Sequence, residues 1–202
     1  VDAAVILAGG ASSRMGRDKA WLDLEGRPLL VHVISIVAER CRPIVVAARP
    51  GQELPKIDHP RVERIDDDLA DGGPLVGIIR GLSRLAERGI ERAYLGSCDA
   101  AAITTTHVAF MLDTLREDPR KVAAVPCDHD GRAHPLASAV VVDAMLARAK
   151  SQLSRQDLRL QELFQGPQIG RLPAARLPDP DVLAPCNTPE QWAALTLRLR
   201  SP

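Results

Sequence analysis

Residues 5–19 read VILAGGASSRMGRDK, and the fold turns on how this stretch is read. Ala3 to Ala8 is an apolar run with the length and β-branched content of a buried strand. It empties into Gly9-Gly10 and a small polar loop, Ala11-Ser12-Ser13. Arg14, Gly16 and Arg17 follow, and Asp18-Lys19 closes the stretch. Glycines let a backbone approach a ligand and aim several N–H groups at it. Arg14 and Lys19 add positive charge beside those groups. A strand that opens into such a loop suits phosphate, and the spacing predicts a nucleoside triphosphate site. The competing reading is a Gly-rich strand-to-helix turn with solvated basic residues. The coincidence of Arg14, Gly16, Asp18 and Lys19 weighs against it.

The loop is not a Walker A loop, because no Lys-Ser or Lys-Thr follows Gly16, and it lacks the G-x-G-x-x-G dinucleotide fingerprint. Ser12 and Ser13 have no His–Asp pattern beside them and read as small loop residues, not nucleophiles.

The chain has 202 residues, which fits a single domain over 1–202, large enough to bury a core without disulfides or metals. Its formal net charge is zero, so no global field steers it to nucleic acid or a membrane. Aromatic residues make up only 2%, which argues against base-stacking recognition of single strands. Cys41, Cys98, Cys127 and Cys186 form no C-x-x-C pair, so the expectation is free thiols in a reducing compartment and no zinc cluster. No secretory signal and no stretch of about 20 apolar residues is visible, so the expected location is cytoplasmic with no membrane span.

Outward from the loop, strands and helices alternate. A turn at Glu25-Gly26 precedes a helix over about 28–40, with Leu30, Val33, Ile34 and Val37 at helical spacing. Ile44 to Ala48 is a strand ending in Arg49-Pro50-Gly51, and Arg61 to Ile65 is a short one. Asp66 to Gly73 is an acidic, Gly-rich loop, and Pro74 opens a helix that Gly89 ends. Ala93 to Gly96 is a strand running into Ser97-Cys98-Asp99. Thr104 to Thr106 caps another helix, and Lys121 to Pro126 is a strand. Beyond it come the strand Ala137 to Val142, two short helices between 143 and 165, a strand near Ala174 to Leu177, and a helix starting at Asn187-Thr188-Pro189-Glu190. The expected class is α/β: a Rossmann-like, mostly parallel twisted sheet with helices on both faces. Residues 1–126 form its nucleotide-binding part, and 127–202 add strands at the sheet edge and face an acceptor.

Nucleotidyl transfer joins two anions, so the protein must neutralise charge and hold an in-line attack. The loop backbone, Gly9 and Gly10 included, with Arg14 and Lys19, supplies a phosphate cradle. Mg²⁺ held by one or two carboxylates supplies the rest. Asp99 is the favoured metal ligand, because it lies just past a central strand, where open parallel sheets bind ligands. Its alternative is capping of the next helix. Asp71 in its glycine loop either contacts nucleotide or makes a turn, and Asp66 to Asp68 read as a solvated run. Arg49 either contacts nucleotide or is an exposed loop arginine. His134 either orients an acceptor group or packs locally. Asn187 is an N-cap by type.

The order L-A-G-G, three small residues, R-M-G, one residue, D-K resembles the signature of nucleotidyltransferases, most closely that of molybdenum cofactor guanylyltransferases. L-A-D-G-G-P-L-V-G at 69–77, S-C-D at 97–99, His134-Pro135-Leu136 and Asn187-Thr188-Pro189-Glu190 resemble that family's later motifs, in its order. The resemblance implies a nucleotidyltransferase-type fold and transfer of GMP from GTP to the terminal phosphate of molybdopterin. Leu7, Ala8 and Gly9 would meet guanine, Asp71 and Arg49 the nucleotide, Lys19 the phosphates and Asp99 magnesium, with His134 and Asn187 toward the acceptor. Cofactor-delivering proteins or molybdoenzymes would be partners of a monomer or weak oligomer. L-A-G-G favours GTP over CTP. The chain departs from the family pattern at Ser97 (for proline), at Ala100-Ala101 (for a Thr-Pro-like pair) and at Pro185 (for asparagine). The alternatives are a transferase using CTP or another phosphorylated acceptor, and a non-catalytic GTP-binding carrier.

Overall fold

Alternation along β1 (Ala3–Leu7) divides the molecule into two apolar layers. Ala4 and Ile6 join one buried cluster, while Ala3, Val5 and Leu7 join the other. A strand that is apolar at every position belongs in the middle of a covered parallel sheet, and β1 is buried throughout. The computed structural model describes residues 1–9, 18–66, 73–184, 186 and 188–200.

The other strands are a two-stranded hairpin, β2 (Asp23–Leu24) and β3 (Arg27–Pro28), then β4 (Ile44–Ala48), β5 (Val62–Asp66), β6 (Arg92–Ser97), β7 (Ala123–Cys127), β8 (Ala137–Val141) and β9 (Ile169–Pro173). The helices are α1 (Leu29–Val37), α2 (Gly73–Ala86), α3 (Thr105–Glu117), α4 (Val142–Ser154), α5 (Leu160–Leu163) and α6 (Pro189–Arg200). Seven strands form one sheet in the order β5-β4-β1-β6-β8-β7-β9, with β1 and β6 in its middle. Every pairing in it is parallel except the two made by β8, which runs against both β6 and β7. α1 and α3 cover one face, and α2 and α4 the other. The expected mostly parallel α/β sheet with helices on both faces is what forms.

Local chemistry explains the boundaries. Thr104 caps α3, its Oγ1 accepting the His107 N–H at 3.1 Å. Gly81 lets α2 lie against β1: a Cβ there would stand 2.4 Å from Val5 Cγ1. At the edge, β5 carries Glu63 and Arg64, charges that discourage further pairing.

Two expectations need correction. The strand expected near Ala174 to Leu177 lies earlier, at β9, and Ala174–Arg176 forms a 3-10 turn. Leu172 faces the core and pairs in register with Pro126, whereas Pro173 closes the strand. Of the strands added by the second half, only β9 takes the edge, and β8 enters the sheet between β6 and β7. Its run of Ala137 to Val140 is fully buried, as an interior strand requires. Among the described residues no helix is long and apolar enough to cross a membrane.

Candidate active site

The parallel registers bring three strand ends to one level. Leu7 pairs with Ala47 of β4 on one side and Ser97 of β6 on the other. Pairing continues one step further, the Ala8 N–H donating to the Ala47 carbonyl at 2.8 Å and the Cys98 N–H to the Leu7 carbonyl at 2.9 Å. Gly9, Arg49 and Asp99 therefore emerge together at the carboxyl ends of central strands.

Asp99 is engaged on both oxygens. Lys19 Nζ lies 2.6 Å from Oδ2, and Ser97 Oγ donates to Oδ1 at 2.6 Å. Both members of the ion pair are largely shielded, with side chains 14% and 29% exposed. The capping alternative for Asp99 fails, because Thr104 holds the N-cap of α3. Ser97, a departure from the family's proline, here supplies a hydroxyl that orients the carboxylate.

Arg49 passes directly over Gly9. A Cβ on Gly9 would meet Arg49 Cγ at 3.1 Å and its backbone nitrogen at 3.2 Å. The Arg49 guanidinium reaches Asp18 Oδ2 at 3.4 Å, as a weak, half-exposed pair. Asp18 Oδ1 accepts the Ala20 N–H at 3.0 Å and so caps the 3-10 turn Lys19–Trp21 that carries the lysine.

Beside Asp99 opens a cavity of about 560 Å³ that continues toward the second half of the chain. Ser97, Asp99, Asp128, His134, Gln161 and Cys186 are among the residues that line it. His134 is not a lone histidine, since its Nε2 lies 3.1 Å from Asp128 Oδ2. That bond, with the Arg132 backbone N–H, holds the Asp128 carboxyl below the usual aspartate range. Burial, with the Asp99 charge nearby, pushes both the Cys98 and Cys186 thiols up, so neither is a ready nucleophile at neutral pH.

The structure thus brings together Leu7, Ala8, Gly9, Lys19, Arg49 and Asp99, and places His134 in the lining of the same cavity as Asp99. Gly10, Arg14, Asp71 and Asn187 lie outside the described residues. Sequence reading missed Gln52, which is buried between Ala8, Asp18 and Arg49. It also missed Asp128 as the partner of His134, although the Asp130-Gly131 turn between them signals a reversal that brings them together.

Among the described residues no group of three His, Cys, Asp or Glu side chains is placed to hold a metal. Asp99, a partly exposed carboxylate at the end of a central strand, nonetheless fits Mg²⁺, which takes one or two carboxylates and fills its other positions with water and substrate phosphates.

A family model described as a MobA-like NTP transferase domain matches residues 4–172. The chain belongs to that family. It is a nucleotidyltransferase by descent. A relative from Mycobacterium bovis, named a probable molybdenum cofactor guanylyltransferase, is 40% identical over 143 residues, covering 70% of this chain and 68% of the relative. One of the same name from Mycobacterium marinum is 39% identical over 160 residues, covering 75% and 77%. Among solved structures, molybdopterin-guanine dinucleotide biosynthesis protein A from Archaeoglobus fulgidus superposes with a TM-score of 0.74 over 98% of both chains, at 16% identity. The 2-C-methyl-D-erythritol 4-phosphate cytidylyltransferase of Thermus thermophilus gives 0.71 over the whole of both chains, at 15% identity. These two likenesses are of fold, which MobA-like transferases share with enzymes of other named substrates.

Proposed function

We propose that this MobA-like transferase moves GMP from GTP to the terminal phosphate of molybdopterin, releasing pyrophosphate, with Mg²⁺ at Asp99. The observation that carries this reading is the Lys19–Asp99 pair at the ends of β1 and β6, opening onto the cavity. The names of the mycobacterial relatives support the choice of substrates.

An oxygen of the acceptor phosphate attacks the α-phosphorus of GTP, and the bond to the β-phosphate oxygen breaks. Both partners are anionic, and side chains need do little covalent work. Lys19 exchanges the Asp99 carboxylate for triphosphate oxygens and neutralises charge that grows on the leaving pyrophosphate. Asp99, kept in aim by Ser97, faces the metal, which when bound screens the phosphates and polarises the α-phosphoryl group. By this reading Leu7, Ala8 and Gly9 meet guanine, Gly10, Arg49 and Asp71 are assigned to the nucleotide, and Arg14 to its phosphates. Residues 127–202 receive the acceptor in the cavity that His134 lines, Asn187 being assigned to the acceptor as well, and residues 1–126 bind the nucleotide.

The test is pyrophosphate release from GTP and from CTP, with Mg²⁺, with and without molybdopterin. Release from GTP that requires molybdopterin is the expected result. Release from CTP instead would overturn the choice of base. GTP binding without release under any acceptor would leave a non-catalytic carrier.

A further inference from the structure

One side chain ties together the two points between which residues 10–17 run. Gln52 follows the Arg49-Pro50-Gly51 turn after β4 and is only 8% exposed. Its Nε2 donates to the Ala8 carbonyl at 3.0 Å and to Asp18 Oδ2 at 2.7 Å. Its Oε1 accepts the Arg49 N–H at 3.0 Å. A primary amide has two N–H donors and one carbonyl, and here every one is used. The turn is itself strapped: the Gln52 N–H donates to the Arg49 carbonyl at 3.0 Å, and Arg64 Nη1 donates to the Gln52 carbonyl at 2.8 Å.

The two tied points matter for different reasons. Ala8 leads out of β1 into the glycines, and with its N–H given to Ala47 and its carbonyl taken by Gln52, its backbone is fixed. Asp18 immediately precedes Lys19 and caps the turn on which Lys19 sits. The direction in which Lys19 leaves the backbone thus depends on Asp18, and Asp18 is held by Gln52.

We propose that Gln52 is a positioning residue of the triphosphate site: a buried amide clamp that holds Ala8 and Asp18 at a set separation and thereby aims Lys19. It acts through Asp18 and need not touch substrate. The inference rests on reading Lys19 as a triphosphate ligand.

Charge exchange across the clamp tests it. In Gln52→Glu, carboxylate oxygens face the Ala8 carbonyl and the Asp18 carboxylate, so acceptor opposes acceptor. Adding Asp18→Asn restores one bond in the opposite direction, from the Asn amide to the Glu carboxylate, and leaves Oδ1 for the Ala20 N–H. Gln52→Glu should raise the KM for the nucleoside triphosphate about tenfold, the worth of one to two such bonds. The acceptor KM should stay within about twofold, since a clamp on Lys19 acts on one substrate only. The double variant should regain most of the loss. An unchanged triphosphate KM in Gln52→Glu, or a double variant no better than the single one, would overturn the clamp. The series is run with whichever triphosphate the wild type turns over, so use of CTP corrects the base and leaves this inference standing. If the wild type binds without turnover, the same pattern is read in the Kd for that triphosphate. A wild type that binds no triphosphate overturns both readings together.

Discussion

Lys19 and Asp99, eighty positions apart in the chain, meet at 2.6 Å where β1 and β6 end. Under the proposed function the two would part on binding of the triphosphate with its metal, the lysine to phosphate and the aspartate to the cation. Asp99→Asn should therefore lower pyrophosphate release by a factor on the order of 10²–10³, the usual loss for one electrostatic contact at a reacting centre. Triphosphate binding without Mg²⁺ should not weaken, because the Asp99 carboxylate no longer competes for Lys19. Calorimetric titration with and without Mg²⁺ measures this, and full turnover in Asp99→Asn would remove Asp99 from the metal role.

Gly81→Ala should destabilise the protein although alanine is the better helix former. The new methyl would stand 2.4 Å from Val5 Cγ1 and 2.8 Å from its Cγ2, inside the closed layer between α2 and β1. Overpacking of this kind costs about 1–3 kcal/mol, which in a chain of this length lowers Tm by roughly 2–4 °C per kcal/mol. Trimming the opposing side chain with Val5→Ala should make the double variant less damaged than the sum of the two singles. Strict additivity in thermal unfolding would contradict the contact.

The buried histidines set an acid limit. His107 is fully buried, its Nε2 bonds the Ala137 carbonyl at 3.1 Å, and its Nδ1 finds no partner among the described residues. Burial lowers its pKa, and that of His32, below the ordinary histidine value. A group whose folded pKa is depressed binds fewer protons folded than unfolded, so stability falls with pH in the window between the unfolded value, about 6.5, and the lower folded values. Urea unfolding between pH 7.5 and 5 should show this decline. It should be shallower in His107→Gln, where an amide can still donate to Ala137. A profile that is the same in both proteins would show that His107 does not titrate on unfolding.

His134→Ala should raise the acceptor KM several-fold and leave the triphosphate KM within about twofold, since His134 lines the cavity proposed for the acceptor. The same variant removes the first cause of the low Asp128 pKa, so that carboxyl should titrate higher in carbon-detected NMR. By linkage, the stabilisation from Asp128 is present above the unfolded aspartate value of about 3.9 and is lost as pH falls through the lower folded value. In His134→Ala that acid loss should be smaller and end at higher pH, because the folded value lies closer to the unfolded one. An Asp128 titration unmoved by the substitution would show that the 3.1 Å contact is not populated in solution.

The framework of the site is legible in the sequence because its determinants are local. β1, β4 and β6 are apolar runs, each followed by glycine, arginine-proline or a small-residue turn, and that pattern alone places Gly9, Arg49 and Asp99 at strand ends. The identity of the sheet neighbours is not local. β8 reads as an apolar strand, but its insertion against β6 depends on pairings such as Leu95 with Ser138, far apart in the chain. Gln52 is silent for the same reason. It lies in a proline-flanked stretch with no periodicity, and its partners stand 44 and 34 positions away. Only folding shows that an unremarkable loop amide is buried.

The reversed direction of β8 has a bearing on how this architecture diversifies. Because β7 and β8 are antiparallel neighbours, residues 128–136 leave and re-enter the sheet at the same rim, the one that carries Asp99. The segment after β6, by contrast, leads into α3 before the chain returns to the sheet at β7, so altering it displaces a helix of one layer. The 128–136 segment leads only back into the adjacent strand. It can be lengthened, shortened or exchanged with no helix to relocate, and the residues it presents to the cavity, Asp128 and His134 among them, go with it. Under the proposed function, a lineage with this topology would change its acceptor by rewriting one hairpin while keeping Lys19 and Asp99 in place.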